Sequence, residues 1–546
     1  MPNQPQTTAA EAPTRSRFDI LVCLIGAFAA EALLVAPWSI SSQPAAALPR
    51  VLVVFITLLA IHFFALKALR EYSPVRRDLL LMALVTIASL VMIKASTIVA
   101  LSLSGYLREI GASTQPAAEV FYYAIPLASG AMLLQIVLGL HHGLVFAVNL
   151  AVLMAIYYPQ QPIMAPYALT TVFVACLSIP RLRARSVFTR AGFNVAGIAL
   201  PFALAASLMA PHSSSSEMLI RFLAAIIGGA LCSFIAAGFL PVIEYLGGYI
   251  TDLRLIEMAT LDHPLLKDLS VTAPGTWNHC MIMGMMAESA ADAVKANPVI
   301  ARVGAYFHDI GKTRKPPYFI ENQNGENRHD KLSPSMSALI VRSHVKDGIE
   351  LAHKYHVPEV IVNMIPQHHG TARIEYFYNK ARQEIEETGG NPDDVDESLY
   401  RYPGPKPQTR EAGILMLADT IEAAARTVSD PNHDRIQGMV QKMINKVFSS
   451  GQLDECELTL RDLHLIARSF TRVLTGIYHQ RIAYAEPAEK TGDKNQQKSS
   501  AKFETEANGH SKALESGDST KKATQVPVSE QPEKSSTEDL KRLGLE

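Results

Sequence analysis

The sequence predicts an all-α protein in two parts: a polytopic helical membrane bundle followed by an all-helical polar domain. Apolar runs near the roughly 20 residues that span a bilayer as a helix crowd the first half. From about residue 250 they give way to amphipathic patterns punctuated by helix caps. The whole chain is 49% hydrophobic and only 18% charged, so these halves are unequal mixtures. At 546 residues it is too long for one compact domain, and the formal net charge of -1 averages two unlike regions and points to no partner. The expected division is a cytoplasmic N-terminus over 1–19, membrane helices over 20–246, a cytoplasmic domain over 247–486 and a disordered tail over 487–546.

The apolar runs fall near 20–38, 49–69, 79–103, 120–138, 139–158, 163–180, 191–210 and 218–246, about eight membrane segments. Alternate loops are basic: Arg15 and Arg17 precede the first run, Lys67, Arg70, Arg76 and Arg77 follow the second, and Arg181, Arg183, Arg185 and Arg190 follow the sixth. The loops 157-YYPQQPIMAPY-167 and 211-PHSSSSE-217 carry no Lys or Arg, so the positive-inside rule places both chain ends in the cytoplasm of a multi-pass inner-membrane protein. The first run, followed by Ala45, Ala46 and Ala47, has the look of a signal peptide; its length favours an uncleaved anchor. Glu31, Lys94, His141 and His142 lie in or beside membrane segments, where an ionisable group marks either a ligand site or an interhelix pair. A transporter needs a longer chain of such groups, which argues against that class.

In the polar half, Asn297 and Pro298 open a helix that Gly311 is expected to stop, placing His308 and Asp309 at its end. Ser333 and Pro334 open one toward His344, Pro358 one that ends at His368 and His369, and Thr409 one that carries Asp419. Two long loops, 320–334 and 388–409, have the length of functional covers. Beyond about 486 the chain is too poor in large apolar residues to offset its ordering entropy. Five scattered cysteines, Cys23, Cys176, Cys232, Cys280 and Cys456, form no CxxC pair, so neither a disulfide framework nor a structural zinc site is indicated.

The chemistry centres on 306-YFHDIGK-312. One His-Asp doublet is easily a hydrogen-bonded core pair. Added to it are His279, His344, His368, His369 and Asp419, each on an expected helix or at its end. Imidazoles and carboxylates in such number suit Fe, Mn or Zn, and two ions sharing a carboxylate can clamp both the attacking and the leaving oxygen of a phosphoryl displacement. Asp309 is the natural bridge. Lys312, one turn beyond, is placed either to neutralise a phosphate oxygen or simply to face solvent at a helix end. Arg373, Tyr402 and Lys406 are weaker candidates for substrate contact. His329, His353 and His356 fall in a loop or a polar stretch and are read as surface or supporting groups.

The order His, His-Asp, His, His-His, Asp resembles that of the HD-domain metal phosphohydrolases. Longer strings, among them 250-ITDLRLIEMATLDHPLLKDLSVTAPGT-276, 299-VIARVGAYFHDIGK-312, 343-SHVKDGIELA-352 and 403-PGPKPQT-409, are similar to those of the seven-transmembrane, PgpH-type family of cyclic di-AMP phosphodiesterases. The resemblance covers about 49–484 and implies a cytoplasmic HD domain with two divalent ions, Mn or Fe. One would be held by His279, His308, Asp309 and Asp419, the other by Asp309, His344, His368 and His369. An activated water would then open cyclic di-AMP to linear pApA. Members commonly carry a large extracytoplasmic sensor between the first membrane segment and the rest; here only 39-SISSQPAAALP-49 separates the first two, so sensing of that kind is not expected.

The alternatives are a cyclic di-GMP or other nucleotide phosphohydrolase, or a nucleotide-sensing membrane receptor without turnover. The segment 370-GTARIEYFYN-379 lacks the Gly-Tyr-Pro signature of the HD-GYP enzymes, and no ligand of the set is missing, which favours the enzyme. The expected partners are the cyclic dinucleotide and membrane lipid, with no nucleic acid polymer. Homodimerisation and a sensory partner stay open.

Overall fold

The computed structural model describes residues 12–34, 46–180, 184–210, 214–323, 325–429 and 431–478. Arg181, Arg183, most of the loop before the second apolar run and the tail over 487–546 lie outside these. Among the described residues there is no strand, only an isolated bridge between Arg373 and Arg401.

The first part contains α1 (Ala12–Leu34), α2 (Ala47–Ala68), α3 (Arg76–Glu109), α4 (Ser129–Leu138), α5 (Leu140–Tyr157), α6 (Met164–Leu177), α7 (Ser186–Met209) and α8 (Ser215–Gly247), with a 3-10 turn, Ala118–Ala124, leading into α4. Among the described residues, six helices are long and apolar enough to cross a membrane, counting Ala118–Leu138 as one; α6 is apolar but only 14 residues long. Small residues let α7 and α8 pack backbone to backbone. A Cβ on Gly229 would stand 2.5 Å from the Gly192 carbonyl oxygen.

Two of the four ionisable groups singled out in this half, Glu31 and His141, have charged partners. Glu31 takes Arg50 at 2.7 Å and the Tyr157 hydroxyl at 2.9 Å, an interhelix pair. His141 lies 3.3 Å from Glu71, and the buried His142 ring packs 4.9 Å from that of Tyr72. Lys94 is half-buried on α3.

The second part comprises α9 (Asp252–Met258), α10 (Pro264–Thr272), α11 (Pro274–Ala293), α12 (Pro298–Phe307), α13 (Pro334–Lys354), α14 (Glu359–Val362), α15 (Met364–Gln367), α16 (Glu375–Glu387), α17 (Arg410–Ala425), α18 (His433–Ser449) and α19 (Leu460–Ile477). Caps set the starts. The Asn297 side chain accepts from Val299 and Ile300, Ser333 from Met336, and Thr409 from Ala412, each satisfying an orphan N–H of the first turn. Their apolar faces meet in one core around Leu266, Met283, Phe307, Ile365, Leu415 and Phe470.

Two expected helices end differently. Gly311 does not stop α12; the helix closes at Phe307, and Ile310–Arg314 forms a 3-10 turn. This turn presses on α13 so closely that a Cβ on Gly311 would stand 1.9 Å from the His344 carbonyl oxygen. Only glycine permits that approach, and it swings Asp309 off the helix into the space between α11, α13 and α17. The segment after Pro358 is two single turns, α14 and α15, rather than one helix.

Candidate metal centre

Five imidazoles and two carboxylates expected from the sequence converge on one point. His279 comes from the second turn of α11, His308 caps the end of α12, His344 sits in the middle of α13, His368 and His369 follow α15, and Asp419 lies inside α17. Asp309, 1% exposed, stands at the centre. Its Oδ2 is 3.1 Å from His308 Nε2 and 3.8 Å from His279 Nε2; its Oδ1 is 3.4 Å from His344 Nε2 and 3.8 Å from His368 Nε2. One oxygen faces each group. Asp419 closes the first at 3.1 Å from His279 Nε2 and approaches His369 Nδ1 at 3.6 Å.

The imidazoles are oriented from behind. His308, His344 and His368 each have Nδ1 on the carbonyl oxygen three residues earlier, at Ala305 (2.8 Å), Val341 (2.6 Å) and Ile365 (2.5 Å). His279 has Nδ1 2.5 Å from Glu422. In His308, His344 and His368 the Nδ1 thereby carries the proton and Nε2 presents a lone pair to the centre, while Glu422 holds the His279 ring with its Nε2 toward Asp419, where a bound cation would take the place of the Nε2 proton. His369 is set instead by stacking on Tyr402, ring centroids 4.1 Å apart.

The residues fit a divalent-metal site. His308 Nε2 and Asp309 Oδ1 are buried without a hydrogen-bond partner, a costly state that cations relieve. His279, His308 and Asp419 form one group whose ligand atoms all lie within 4.8 Å of one another, and His344, His368 and His369 form a second. Nitrogen and oxygen donors in this mixture suit first-row transition ions. Burial pushes the Asp309 carboxyl up, but His308 and Lys312 outweigh it and hold it well below the usual range. Burial depresses His344, His368 and His369, the last to about 3, so their nitrogens are available at neutral pH. Burial also disfavours the His279 cation, yet Glu422 and Asp419 raise that group to about 10.

Lys312 is not solvated. Its ammonium lies 2.8 Å from Asp309 Oδ2 and 2.8 Å from Glu321 Oε1, and these two carboxylates outweigh burial in keeping it charged. A cavity of about 870 Å3 opens over the cluster, within the range of small-molecule sites. Lys312, Arg373 and Tyr402 line it; Lys406 does not, and its ammonium is 3.5 Å from Asp454 instead. Arg373 forks onto Glu375 with two 3.0 Å bonds. Both long loops contribute walls, through Glu321 and Asn327 from one and Glu397, Arg401 and Tyr402 from the other.

Sequence reasoning passed over Glu422, Arg426 and Glu321. Glu422 follows Asp419 by one helical turn on the same face, a spacing that was available as a signal. Arg426, one further turn along, holds Glu422 at 2.8 Å. Glu321 carried no local mark. His329 is buried and lines the cavity between Tyr318 and Phe377, whereas His353 and His356 are exposed.

Residues 45–251 match the family described as "7TM receptor with intracellular HD hydrolase", and residues 276–424 match the HD domain. The chain is 36% identical over 376 residues to the cyclic-di-AMP phosphodiesterase PgpH of Bacillus subtilis (strain 168), covering 67% of this chain and 52% of that protein. It is likewise 36% identical over 370 residues to PgpH of Listeria monocytogenes (strain 10403S), covering 66% of this chain and 50% of that one. The chain thus spans about half the length of these relatives. A crystal structure of the L. monocytogenes PgpH HD domain in complex with cyclic di-AMP shares 44% identity, with a TM-score of 0.38, covering 41% of this chain and 100% of that one. On the matched membrane and HD regions together, the chain belongs to the PgpH-type family of 7TM membrane proteins with an HD domain.

Proposed function

We propose that the protein is a membrane-bound, two-metal phosphodiesterase that hydrolyses cyclic di-AMP to linear pApA on the cytoplasmic side. The observation that carries this reading is the position of Asp309, which turns one oxygen toward each ligand group beneath a ligand-sized cavity. His279, His308, Asp309 and Asp419 would hold one ion; Asp309, His344, His368 and His369 would hold the other. Mn or Fe, which take nitrogen and oxygen donors, would occupy both places. Bound there, such ions supply Lewis-acid charge to a phosphoryl oxygen and lower the pKa of water.

The chain's own residues do the rest. Lys312, charged and fixed between Asp309 and Glu321, holds the bridging carboxylate in place and offers positive charge at the cavity floor. Tyr402 keeps the His369 ring in register. Arg373, on the cavity wall, is placed for an incoming phosphate; nothing about Lys406 supports the substrate contact expected of it. Hydrolysis adds one water across one P–O bond of the ring, leaving a terminal phosphate and a free hydroxyl. The cytoplasmic placement rests on the basic loops, and it is supported by Arg185, in the loop after α6, which pairs with Glu257 of α9 at 2.7 Å.

The test is turnover by the full chain in detergent or lipid discs, loaded with Mn2+, against cyclic di-AMP and cyclic di-GMP, with products separated by chromatography. Preferential formation of pApA is expected. A protein that holds two ions per chain yet cleaves neither substrate overturns the reading.

A further inference from the structure

The first helix after the membrane bundle is fastened to the start of α12, which leads into His308 and Asp309, and to the start of α17, which carries Asp419. The fastening passes through Asn297. Its Oδ1 caps α12, accepting from Val299 at 2.9 Å and Ile300 at 3.2 Å. Its Nδ2 donates to Asp252 Oδ1 of α9 at 2.9 Å, and its backbone N–H donates to Glu411 Oε1, at the start of α17, at 2.6 Å. At about 1.5 Å rise per residue, the far ends of these paths lie only some 12–15 Å on. There α12 presents His308 and Asp309, and α17 presents Asp419.

On its other side α9 belongs to the bundle. Leu253 packs against the membrane core while Leu255, two residues on, is buried in the core of the second part. Thr251 caps α9, accepting from Arg254, and donates its hydroxyl to Glu244 of α8. Tyr249, where α8 ends, donates to Asp78 of α3 at 2.9 Å and lies under the Arg77 guanidinium. A shift of α8 against α3 therefore bears on Asp252, and through Asn297 on the spacing of α12 and α17.

We infer that Asn297 is a positioning residue of the metal centre, and that Asp252 is the joint through which the membrane helices act on it. The inference deepens the phosphodiesterase reading and rests on it for the catalytic readout alone. Asn297 touches no ligand atom. It sets where two ligand-bearing helices begin, and an error of about 1 Å at a reacting centre costs up to 100-fold in rate.

Substitution separates this role from helix capping. Asn297→Ser keeps a cap oxygen and the backbone donor to Glu411 but loses the donor to Asp252. Asn297→Asp sets two carboxylates against each other. The exchanged pair Asp252→Asn/Asn297→Asp restores both the cap and the bond with its polarity reversed. In the full chain in lipid discs, Asn297→Ser and Asn297→Asp are expected to weaken Mn2+ binding, read by electron paramagnetic resonance, and to lower kcat about tenfold with KM little changed. The exchanged pair should recover both.

Tyr249→Phe, at the membrane edge, should shift Mn2+ affinity in the parent chain and have no further effect in Asn297→Ser, since coupled residues are non-additive. Wild-type Mn2+ affinity in Asn297→Ser, no recovery in the exchanged pair, or additivity with Tyr249→Phe overturns the inference. If the parent chain cleaves no cyclic dinucleotide, the functional reading fails, and the Mn2+ measurements still decide this one.

Discussion

His279 Nδ1 lies 2.5 Å from Glu422 Oε2, a bond between helices whose residues stand 143 positions apart in the chain. Glu422 is fully buried and is itself held by Arg426. This pair decides which nitrogen of His279 faces Asp309 and Asp419.

Glu422→Gln keeps an oxygen near His279 but removes the charge that makes the imidazole a stronger donor. It is expected to weaken Mn2+ affinity about tenfold, with Glu422→Ala weaker still, as measured by calorimetry. An unchanged affinity in both variants would show that the pair has no hold on the metal.

Asp309→Ala removes the group shared by both ligand sets, so metal content should fall from two ions to one or none and turnover should vanish. Lys406→Ala, outside the cavity and paired with Asp454, should change kcat/KM less than about twofold. Elemental analysis of the purified variants checks the first; a variant that retains both ions and activity removes Asp309 from the bridging role.

Gly311→Ala tests the turn that carries the doublet. A methyl group there meets the His344 carbonyl oxygen and the Gly348 nitrogen, both backbone atoms that cannot rotate away. The expected loss is about 1–3 kcal/mol of stability, the usual cost of overpacking, together with weaker metal binding because Asp309 is displaced. Thermal melting with and without Mn2+ reports both; equal melting curves for variant and parent would show that the approach is not tight.

Stability of the metal-free protein should depend on pH in two windows. His344, His368 and His369 are depressed in the folded chain, the last to about 3, from about 6.5 when unfolded. Below pH 6.5 the unfolded chain therefore binds protons that the folded chain does not, and stability falls as pH falls. His279 works oppositely: raised to about 10 when folded, it contributes stability that is fully present below pH 6.5 and lost as pH rises toward 10. Melting of chelator-treated protein should peak near neutrality and drop on both sides. A melting temperature that keeps rising toward pH 5 contradicts the buried neutral histidines.

Much of the fold was legible because its signals are local. Runs of apolar residues mark membrane helices wherever they occur, and Asn297, Ser333 and Thr409 announce helix starts by side chains that bond N–H groups two or three residues on. That these side chains belong together was legible too, since the unusual His-Asp and His-His doublets and the regular helix signals around them sit in short strings. What extends beyond one turn of helix was not. That α12 stops before Gly311 depends on the backbone of α13, distant in sequence, and the division of α14 from α15 had no mark in the residues after Pro358.

By itself, then, the sequence determined the helical architecture and which donors this protein possesses: five imidazoles and two carboxylates suited to transition ions. Only the tertiary structure decided how they are used. It gave each oxygen of Asp309 its own histidines, placed Lys312 between two carboxylates rather than in water, brought Glu422 behind His279, and tied Asp252 to Asn297 at the junction of the two parts. The physical reason is range: a cap or an apolar run acts over a few residues, whereas the direction of a lone pair is set by whatever side chain packing brings against the ring's other face.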